Sequence, residues 1–491
     1  MLTVADIAAA LREGHNGMPV PSGAQAIEVG RVVIDSREAG PGSMFVALRG
    51  ERRDGHEFIP AAVAAGAVAV IAERAPVGFP GPVLDLCSRI LEPCPIAAPV
   101  CLLVPSSLQA LQAAAGYWRR QHDVRVVGIT GSVGKTTCKE LVAAVLSQKY
   151  VTLRSQGNFN NEIGLPLTLL QLDPSHKRVI LEMGMYALGE ITQLAEIARP
   201  DIGIVTNVGH SHLERLVTIE RIAQAKAELP RSLPAAEDGG VAILNADDER
   251  VLTMAHQTRA RVFTFGLNPD ADLWADEIES EGLEGVRFRF HVGRQDLGVH
   301  LPMLGRHSVH SALAAASVAL VDGLDWPEII TGLTEQSAQL RIVVVPGPSG
   351  STVIEDTYNS SPASALAALN LLADLNGRKV AVLGGMHELG SFTHEGHKLV
   401  GRRAREVADQ IVTVGALGRL IGEQAIEAGM VPGAVRMAET NAEAVAILRR
   451  TVQQGDMIVV KGSRAVQMEE IVAAISAPDE NVPLSSRAKE R

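Results

Sequence analysis

The run Val126-Val127-Gly128-Ile129-Thr130-Gly131-Ser132-Val133-Gly134-Lys135-Thr136-Thr137 carries the densest chemical signal in the chain. An apolar, β-branched stretch ends in a glycine-rich turn, and a Lys-Thr pair then opens a helix-like segment running through Leu146. A nucleoside triphosphate needs that order. Gly131 and Gly134 let backbone N–H groups approach phosphate oxygens, and a helix N-terminus turns roughly half a positive charge toward them. Lys135 can reach the β- and γ-phosphates, and the Thr136 hydroxyl can hold Mg²⁺. The strict phosphate-loop spacing asks for glycine where Ile129 stands, so a tight strand-to-helix turn with a chance Gly-Lys-Thr is the competing account. The run predicts an ATP or GTP site.

Other reactive side chains gather at the ends of apolar runs. Glu182 closes Val179-Ile180-Leu181, and ligands of open parallel sheets collect at the carboxyl ends of strands. A carboxylate there is either a second metal ligand or an exposed acid at a strand end. The run Thr206-Asn207-Val208-Gly209-His210-Ser211-His212-Leu213-Glu214 places two histidines and an acid at the same kind of edge. Lys226, flanked by alanines, reads locally as a solvated helix lysine. The segment Gly157-Asn158-Phe159-Asn160-Asn161-Glu162-Ile163-Gly164 is rich in amides, which suit a sugar or amide ligand and equally suit a helix cap. Later in the chain, Glu355-Asp356-Thr357-Tyr358-Asn359 is a polar turn before Pro362, a residue expected at the first position of a helix. Lys461-Gly462-Ser463-Arg464 offers two cations after the last strand, and no Gly-x-Gly-x-x-Gly opens a helix near Gly384-Gly385.

These groups need elements to hold them. Residues 1–104 read as a smaller α/β domain, with strands Arg31–Ile34 and Ser43–Gly50, an alanine-rich helix, and a Pro-rich irregular insertion and linker near 75–104. From 105 to 340, helical text (108–121, 189–198, 219–229) alternates with continuous apolar strands (179–184, 202–207), the pattern of a parallel sheet covered on both faces. Alternation resumes over 341–476 with strands at 352–355, 379–383, 410–414 and 456–460, giving a second doubly wound, Rossmann-like domain. Residues 477–491 are polar and predict a disordered tail. The fold class is therefore α/β in three domains, the central one a P-loop-type parallel-sheet ATPase.

Composition narrows the function. A chain of 491 residues is long enough for several cores, and a net charge of −11 with only 3% aromatic residues argues against general nucleic-acid binding. The most apolar run, residues 59–72, is too short to span a bilayer, and Met1-Leu2-Thr3-Val4 lacks the basic start and apolar core of a secretory signal. Cys87, Cys94 and Cys101 have no Cys-x-x-Cys pairing or neighbouring histidines, and with Cys138 they read as free thiols in a reducing cytoplasm.

Taken in order, these motifs resemble the Mur ligase family. The resemblance rests on Thr130-Gly131-Ser132-Val133-Gly134-Lys135-Thr136, the Asn-rich segment 157–166, Gly305-Arg306-His307, Asp356-Thr357-Tyr358-Asn359 and Lys461-Gly462-Ser463-Arg464. It covers nearly the whole chain outside the Pro-rich insertion and the tail. It implies a cytoplasmic bacterial ligase, a monomer, adding D-alanyl-D-alanine to UDP-N-acetylmuramoyl-tripeptide through an acyl phosphate in peptidoglycan precursor synthesis. The Asp356–Asn359 turn argues against the sister ligase that adds the third residue. Folylpolyglutamate synthetase and a non-catalytic relative are the alternatives; Asp35-Ser36-Arg37 opposes the first and the intact loop the second.

The resemblance also implies roles. ATP would lie on Gly131, Ser132, Gly134, Lys135, Thr136 and Thr137, with Asn161, His307, Arg341 and Asp356. Two Mg²⁺ ions would be held by Thr136, Glu182, His212 and a carbamylated Lys226, with Lys135, His212, Lys226 and Asp356 catalytic. Ser36, Arg37, Leu48, Arg49, Gly50, Asn158, Asn160, Tyr358, Asn359, Lys461 and Arg464 would bind the UDP-sugar peptide and the dipeptide. Three departures stand out: Ser308 and Ser311 where the family usually has asparagines, and Gly385 where it usually has aspartate.

Overall fold

The computed structural model describes residues 1–11, 23–50, 53–86, 97–210, 213–335 and 342–476. The expected tail and the sites at His212 and Arg341 lie outside the described residues.

A short antiparallel ribbon, β1 (Leu2–Thr3) with β2 (Glu28–Val29), precedes the first sheet. That sheet comprises β3 (Arg31–Val33), β4 (Ser43–Val46), β5 (Ala69–Ala72), β6 (Val83–Asp85) and β7 (Val100–Leu103), in the order β3-β4-β5-β7-β6 with all neighbours parallel. The Pro-rich stretch is thus more than an insertion and linker. Its apolar run at Val100 forms an interior strand, with Val100 and Leu102 in the core on one face and Cys101 in the core on the other. The expected strand Ser43–Gly50 stops at Val46, because the chain turns where Gly50 N–H donates to Arg53 O (2.9 Å) and Gly55 N–H to Leu48 O (2.8 Å).

The second sheet contains β8 (Arg125–Thr130), β9 (Thr152–Arg154), β10 (Arg178–Glu182), β11 (Ile202–Val205), β12 (Val241–Asn245), β13 (Arg261–Gly266), β14 (Leu273–Ser280), β15 (Val286–Val292) and β16 (Gln295–Leu301). Their order is β16-β15-β14-β13-β12-β11-β8-β10-β9, parallel from β9 to β14 and antiparallel beyond. Sequence reading missed the antiparallel wing, although period-two alternation marks it: Val286, Phe288 and Phe290 are buried while Arg287 and Arg289 form ion pairs on the other face. The expected helix 219–229 breaks at Ala227 into Ile219–Lys226 and Glu228–Arg231, close to Pro230, which cannot donate within a helix. The alanine-rich helix Ser308–Val321 shares one apolar cluster with the phosphate-loop helix Lys135–Leu146, where its small side chains let the two backbones come close.

The third sheet comprises β17 (Val343–Pro346), β18 (Thr352–Asp356), β19 (Lys379–Gly384), β20 (Gln410–Val414), β21 (Val435–Ala438) and β22 (Met457–Lys461), ordered β17-β18-β22-β19-β20-β21 and parallel except at β17. Pro362 opens the helix Pro362–Asp374, whose N-terminus is closed by a Ser361–Ser364 capping box. Apolar clusters cover both faces of this sheet. Among the described residues, no helix is long and apolar enough to cross a membrane.

Candidate functional site

The loop between β8 and helix Lys135–Leu146 is held from below by the end of β11. Thr206 Oγ1 donates to Val133 O (2.8 Å), Asn207 Nδ2 donates to the same oxygen (2.9 Å), and Val133 N–H donates to Asn207 Oδ1 (2.9 Å). Ser132 N–H donates to Asn207 O (3.0 Å), and Gly209 N–H donates to Ser132 Oγ (2.8 Å). That is why β11 stops at Val205 rather than Asn207: the next two residues face the loop instead of continuing the strand. Nothing in the local sequence marks Thr206 and Asn207 for this role. Gly131 has φ 151° in this backbone, and a Cβ there would stand 1.8 Å from Thr206 Oγ1. Gly134, at φ 85°, begins the helix, and the nearest atom to a Cβ there would be Ser311 Oγ at 3.8 Å. The backbone therefore closes on protein at one glycine and opens at the other, a cradle that fits phosphate at a helix N-terminus. Lys135 Nζ reaches back to Gly131 O (2.8 Å).

Thr136 and Glu182 meet at the mouth of this loop. Thr136 Oγ1 donates to Glu182 Oε2 (2.7 Å), and Asn160 Nδ2 donates to Glu182 Oε1 (2.9 Å). Glu182 is 1% exposed, which excludes the exposed strand-end reading. A hydroxyl and a buried carboxylate are hard oxygen donors of the kind Mg²⁺ takes, so these two residues fit the ion. Asn161 has a capping function, its Oδ1 accepting from Gly164 N–H (2.9 Å) at the start of helix Gly164–Leu169. Asn158 is exposed on the same segment.

Lys226 corrects the local reading most sharply. It is 2% exposed, in the last turn of helix Ile219–Lys226, rather than solvated. Burial pushes its ammonium well below the ordinary lysine range, and the nearby Lys135 cation pushes the same way. A neutral buried amine beside a phosphate loop is the form that can take up carbon dioxide.

The end of the third sheet gathers a second polar group. Asp356 and Lys461 are register partners at the ends of β18 and β22, and Lys461 Nζ donates to Asp356 Oδ2 (2.6 Å) and Asn359 O (3.0 Å). Lys461 is buried against these acceptors, whereas Arg464 is exposed and donates to Glu469 Oε1 (2.9 Å), so of the two cations at this edge one lies in a buried ion pair and the other on the surface. His307, just before helix Ser308–Val321, sits close enough to this pair to sense it: the surrounding protein lowers its pKa, Asp356 raises it, and Lys461 lowers it. Ser308 Oγ donates to Gly305 O (2.7 Å). A Cβ at Gly385 would lie 2.7 Å from Leu417 Cβ, so the position has no room for a larger side chain as packed. Tyr358 and Asn359 are exposed in the turn that follows β18.

Several contacts join the second and third units, among them two near the loop after β11. His210 stacks on Phe392 with centroids 4.1 Å apart, and Glu214 N–H donates to Glu388 O (3.2 Å). Arg215 lies 4.9 Å from the Tyr186 ring centroid, and Tyr186 is raised in pKa first by burial and then by Glu388. Neither Tyr186 nor Arg215 carries a motif, and only the packing brings them to this edge. On the first sheet, Asp35-Ser36-Arg37 and Leu48-Arg49-Gly50 follow the carboxyl ends of adjacent parallel strands β3 and β4. Arg37 is exposed and bonded to Asp35 through its Nε (2.9 Å), and Arg49 pairs with Glu73 (2.8 Å).

Comparison with known proteins agrees with this arrangement. A model of the Mur ligase middle domain matches residues 129–319, one of the Mur ligase glutamate ligase domain matches 340–464, and one of the Mur ligase family catalytic domain matches 28–83. The UDP-N-acetylmuramoyl-tripeptide--D-alanyl-D-alanine ligase of Mycobacterium bovis is 37% identical over 97% of this chain and 98% of its own. The ligase of the same name from Bacillus subtilis is 34% identical over 90% of this chain and 92% of its own. Among solved structures, MurF from Acinetobacter baumannii superposes with a TM-score of 0.79 at 30% identity, covering 95% of this chain and 97% of its own. MurF from Thermotoga maritima in complex with ADP gives 0.76 at 28% identity, covering 91% and 97%.

Proposed function

The chain belongs to the Mur ligase family, and from that premise we propose that it joins D-alanyl-D-alanine to UDP-N-acetylmuramoyl-tripeptide with conversion of ATP to ADP and phosphate, in the bacterial cytoplasm during cell-wall synthesis. The observation that carries this reading is the phosphate loop with Thr136 bonded to a buried Glu182, set within a near full-length likeness to ligases of that name.

The tripeptide carboxylate attacks the γ-phosphorus of ATP, and ADP leaves. The dipeptide amine then attacks the acyl phosphate carbon, and phosphate leaves as the amide forms. The first step brings two anions together. Lys135 and the N–H groups at the start of its helix face the charge that develops there, and fixed donors of this kind are worth most where water is excluded. Thr136 would hold one Mg²⁺, and Glu182 a second with His212 and Lys226 as further ligands; when bound, the ions supply charge neutralisation between carboxylate and phosphate. Lys226 reaches the anionic form a ligand needs if its neutral amine adds carbon dioxide and loses a proton, and its burial supports that. The first unit, to about residue 104, would take the uridine diphosphate end through Ser36, Arg37, Leu48, Arg49 and Gly50, while Asn158 and Asn160 would meet the sugar. Residues 341–476 would bring Asp356 and Arg341 to the nucleotide, and Tyr358, Asn359, Lys461 and Arg464 to the peptide substrates. Closing the three units around the acyl phosphate keeps water from it.

The test is release of ADP from ATP with UDP-N-acetylmuramoyl-tripeptide, with and without D-alanyl-D-alanine. Sustained release requiring both substrates supports the ligase. Equal release without the dipeptide, at saturating tripeptide, makes the protein a plain ATPase.

A further inference from the structure

Lys139 is fully buried, yet no step above uses it. It lies one turn beyond Thr136 on the phosphate-loop helix, so Thr136, Lys139 and Glu140 share a face at spacings of three and four. Its Nζ donates to Ser155 O at 2.6 Å and pairs with Glu140 Oε1 at 2.9 Å. Glu140 Oε2 in turn holds Arg154 Nε at 2.8 Å, so the helix grips two successive residues at the end of β9. From that anchor the chain runs directly into the Asn-rich segment. Ser155 Oγ accepts from Glu182 N–H (3.3 Å), and its own N–H donates to Ile180 O (3.0 Å). Five residues on, Asn160 Nδ2 holds Glu182 Oε1, and Gly184 N–H donates to Asn160 O at 2.7 Å. The loop thus fastens to the chain on both sides of Glu182, at Ile180 within β10 and at Gly184 just beyond it. One helix therefore fixes the Glu182 carboxylate twice: directly through Thr136, and through Lys139, Ser155 and Asn160.

We propose that Lys139 is a positioning residue for Glu182: its ammonium clamps the Ser155–Asn160 strap, so that Asn160 occupies one carboxylate oxygen and leaves the other aimed at the Thr136 hydroxyl. This rests on the reading that Glu182 holds the divalent cation. A carboxylate free to rotate presents its oxygens to the ion only part of the time, and loss of such supporting contacts typically lowers metal affinity by about ten- to a hundredfold. Metal-free nucleotide binding depends on the loop backbone and Lys135 and has no such requirement. The neighbouring Lys139-Glu140 pair gives no sign of this in the sequence, where it looks like an ordinary solvated pair on a helix.

The test uses Mn²⁺ as the probe. Free Mn²⁺ is read by electron paramagnetic resonance on the full chain with ADP, beside ADP binding without metal, for the wild type, Lys139→Met, Asn160→Ala and Glu182→Gln. The expected result is about tenfold weaker Mn²⁺ binding for Lys139→Met and Asn160→Ala, with metal-free ADP binding within twofold of wild type. The two changes combined should do little more than either alone, since they cut the same strap. Wild-type Mn²⁺ affinity in Lys139→Met, with Glu182→Gln impaired, overturns the inference and leaves the Glu182 reading standing. Wild-type affinity in Glu182→Gln overturns that reading and the inference with it. If Lys139→Met does not fold, Asn160→Ala decides: Mn²⁺ affinity within twofold of wild type overturns the inference.

Discussion

Replacing Lys226 by methionine should make the protein more stable and less active. Methionine keeps the apolar stem and length of the side chain and removes the amine. In the native protein that amine is buried and its pKa lies well below the ordinary lysine value. In the unfolded chain it returns to about 10.4. Between those two values the unfolded chain holds the proton and the native one does not, so protons favour unfolding. Native stability therefore rises with pH across that window and falls as pH drops toward the folded pKa, by up to about 1.4 kcal/mol for each pH unit. Lys226→Met removes this dependence. Its stability advantage over wild type should be greatest at the acid end of the window and vanish near pH 10. The three tryptophans, Trp118, Trp274 and Trp326, all lie in the helices and strands around the second sheet, so their fluorescence in urea follows the relevant unit. The measurement belongs in buffer free of carbon dioxide, since a carbamate would change the charge being read. In ¹³C-bicarbonate, wild type should show a carbamate resonance that Lys226→Met lacks, and activity should fall by about a hundredfold or more if a metal ligand is gone. Full activity in Lys226→Met, or lower stability at every pH, would refute the argument.

Lys135→Ala should lower turnover about a hundredfold, on the order of 3 kcal/mol of transition-state stabilisation, while UDP-sugar binding measured by calorimetry stays near wild type. Lys461→Met leaves Asp356 without its 2.6 Å partner at a sheet edge, and should destabilise the third unit by about 3 kcal/mol, read as faster amide hydrogen exchange in β18 and β22. Burial pushes the Cys101 thiol up to about 12 and raises Cys138 further, so mass mapping at pH 8 should find both unlabelled by a thiol reagent until the protein is denatured.

Much of this protein was determined locally. The phosphate loop was legible because it needs contiguous residues: two glycines for backbone approach, then Lys-Thr on the first helical turn. The apolar strands at 125–130, 178–182, 202–205, 379–384 and 457–461 were legible because a sheet buried on both faces demands uninterrupted apolar text. Pro362 marked a helix start by its own conformational preference, while the Ser361–Ser364 capping box came into view only in the structure. What sequence could not give was anything set by distant partners. Strand β7 hid in Pro-rich text, because only its place between β5 and β6 makes it interior. The β14–β16 wing was passed over amid a helix-and-strand rhythm, though its alternation was there. Lys226 and Lys139 look like surface lysines, since nothing within four residues says that other elements cover them; burial is a property of the packed fold and not of the segment. The role of Thr206 and Asn207 was invisible for the same reason: their acceptors and donors lie more than seventy positions away, at Val133 and Ser132. Contiguous chemistry is written in the chain, whereas the charge state of a buried amine and the aim of a carboxylate are decided only when the elements close around them.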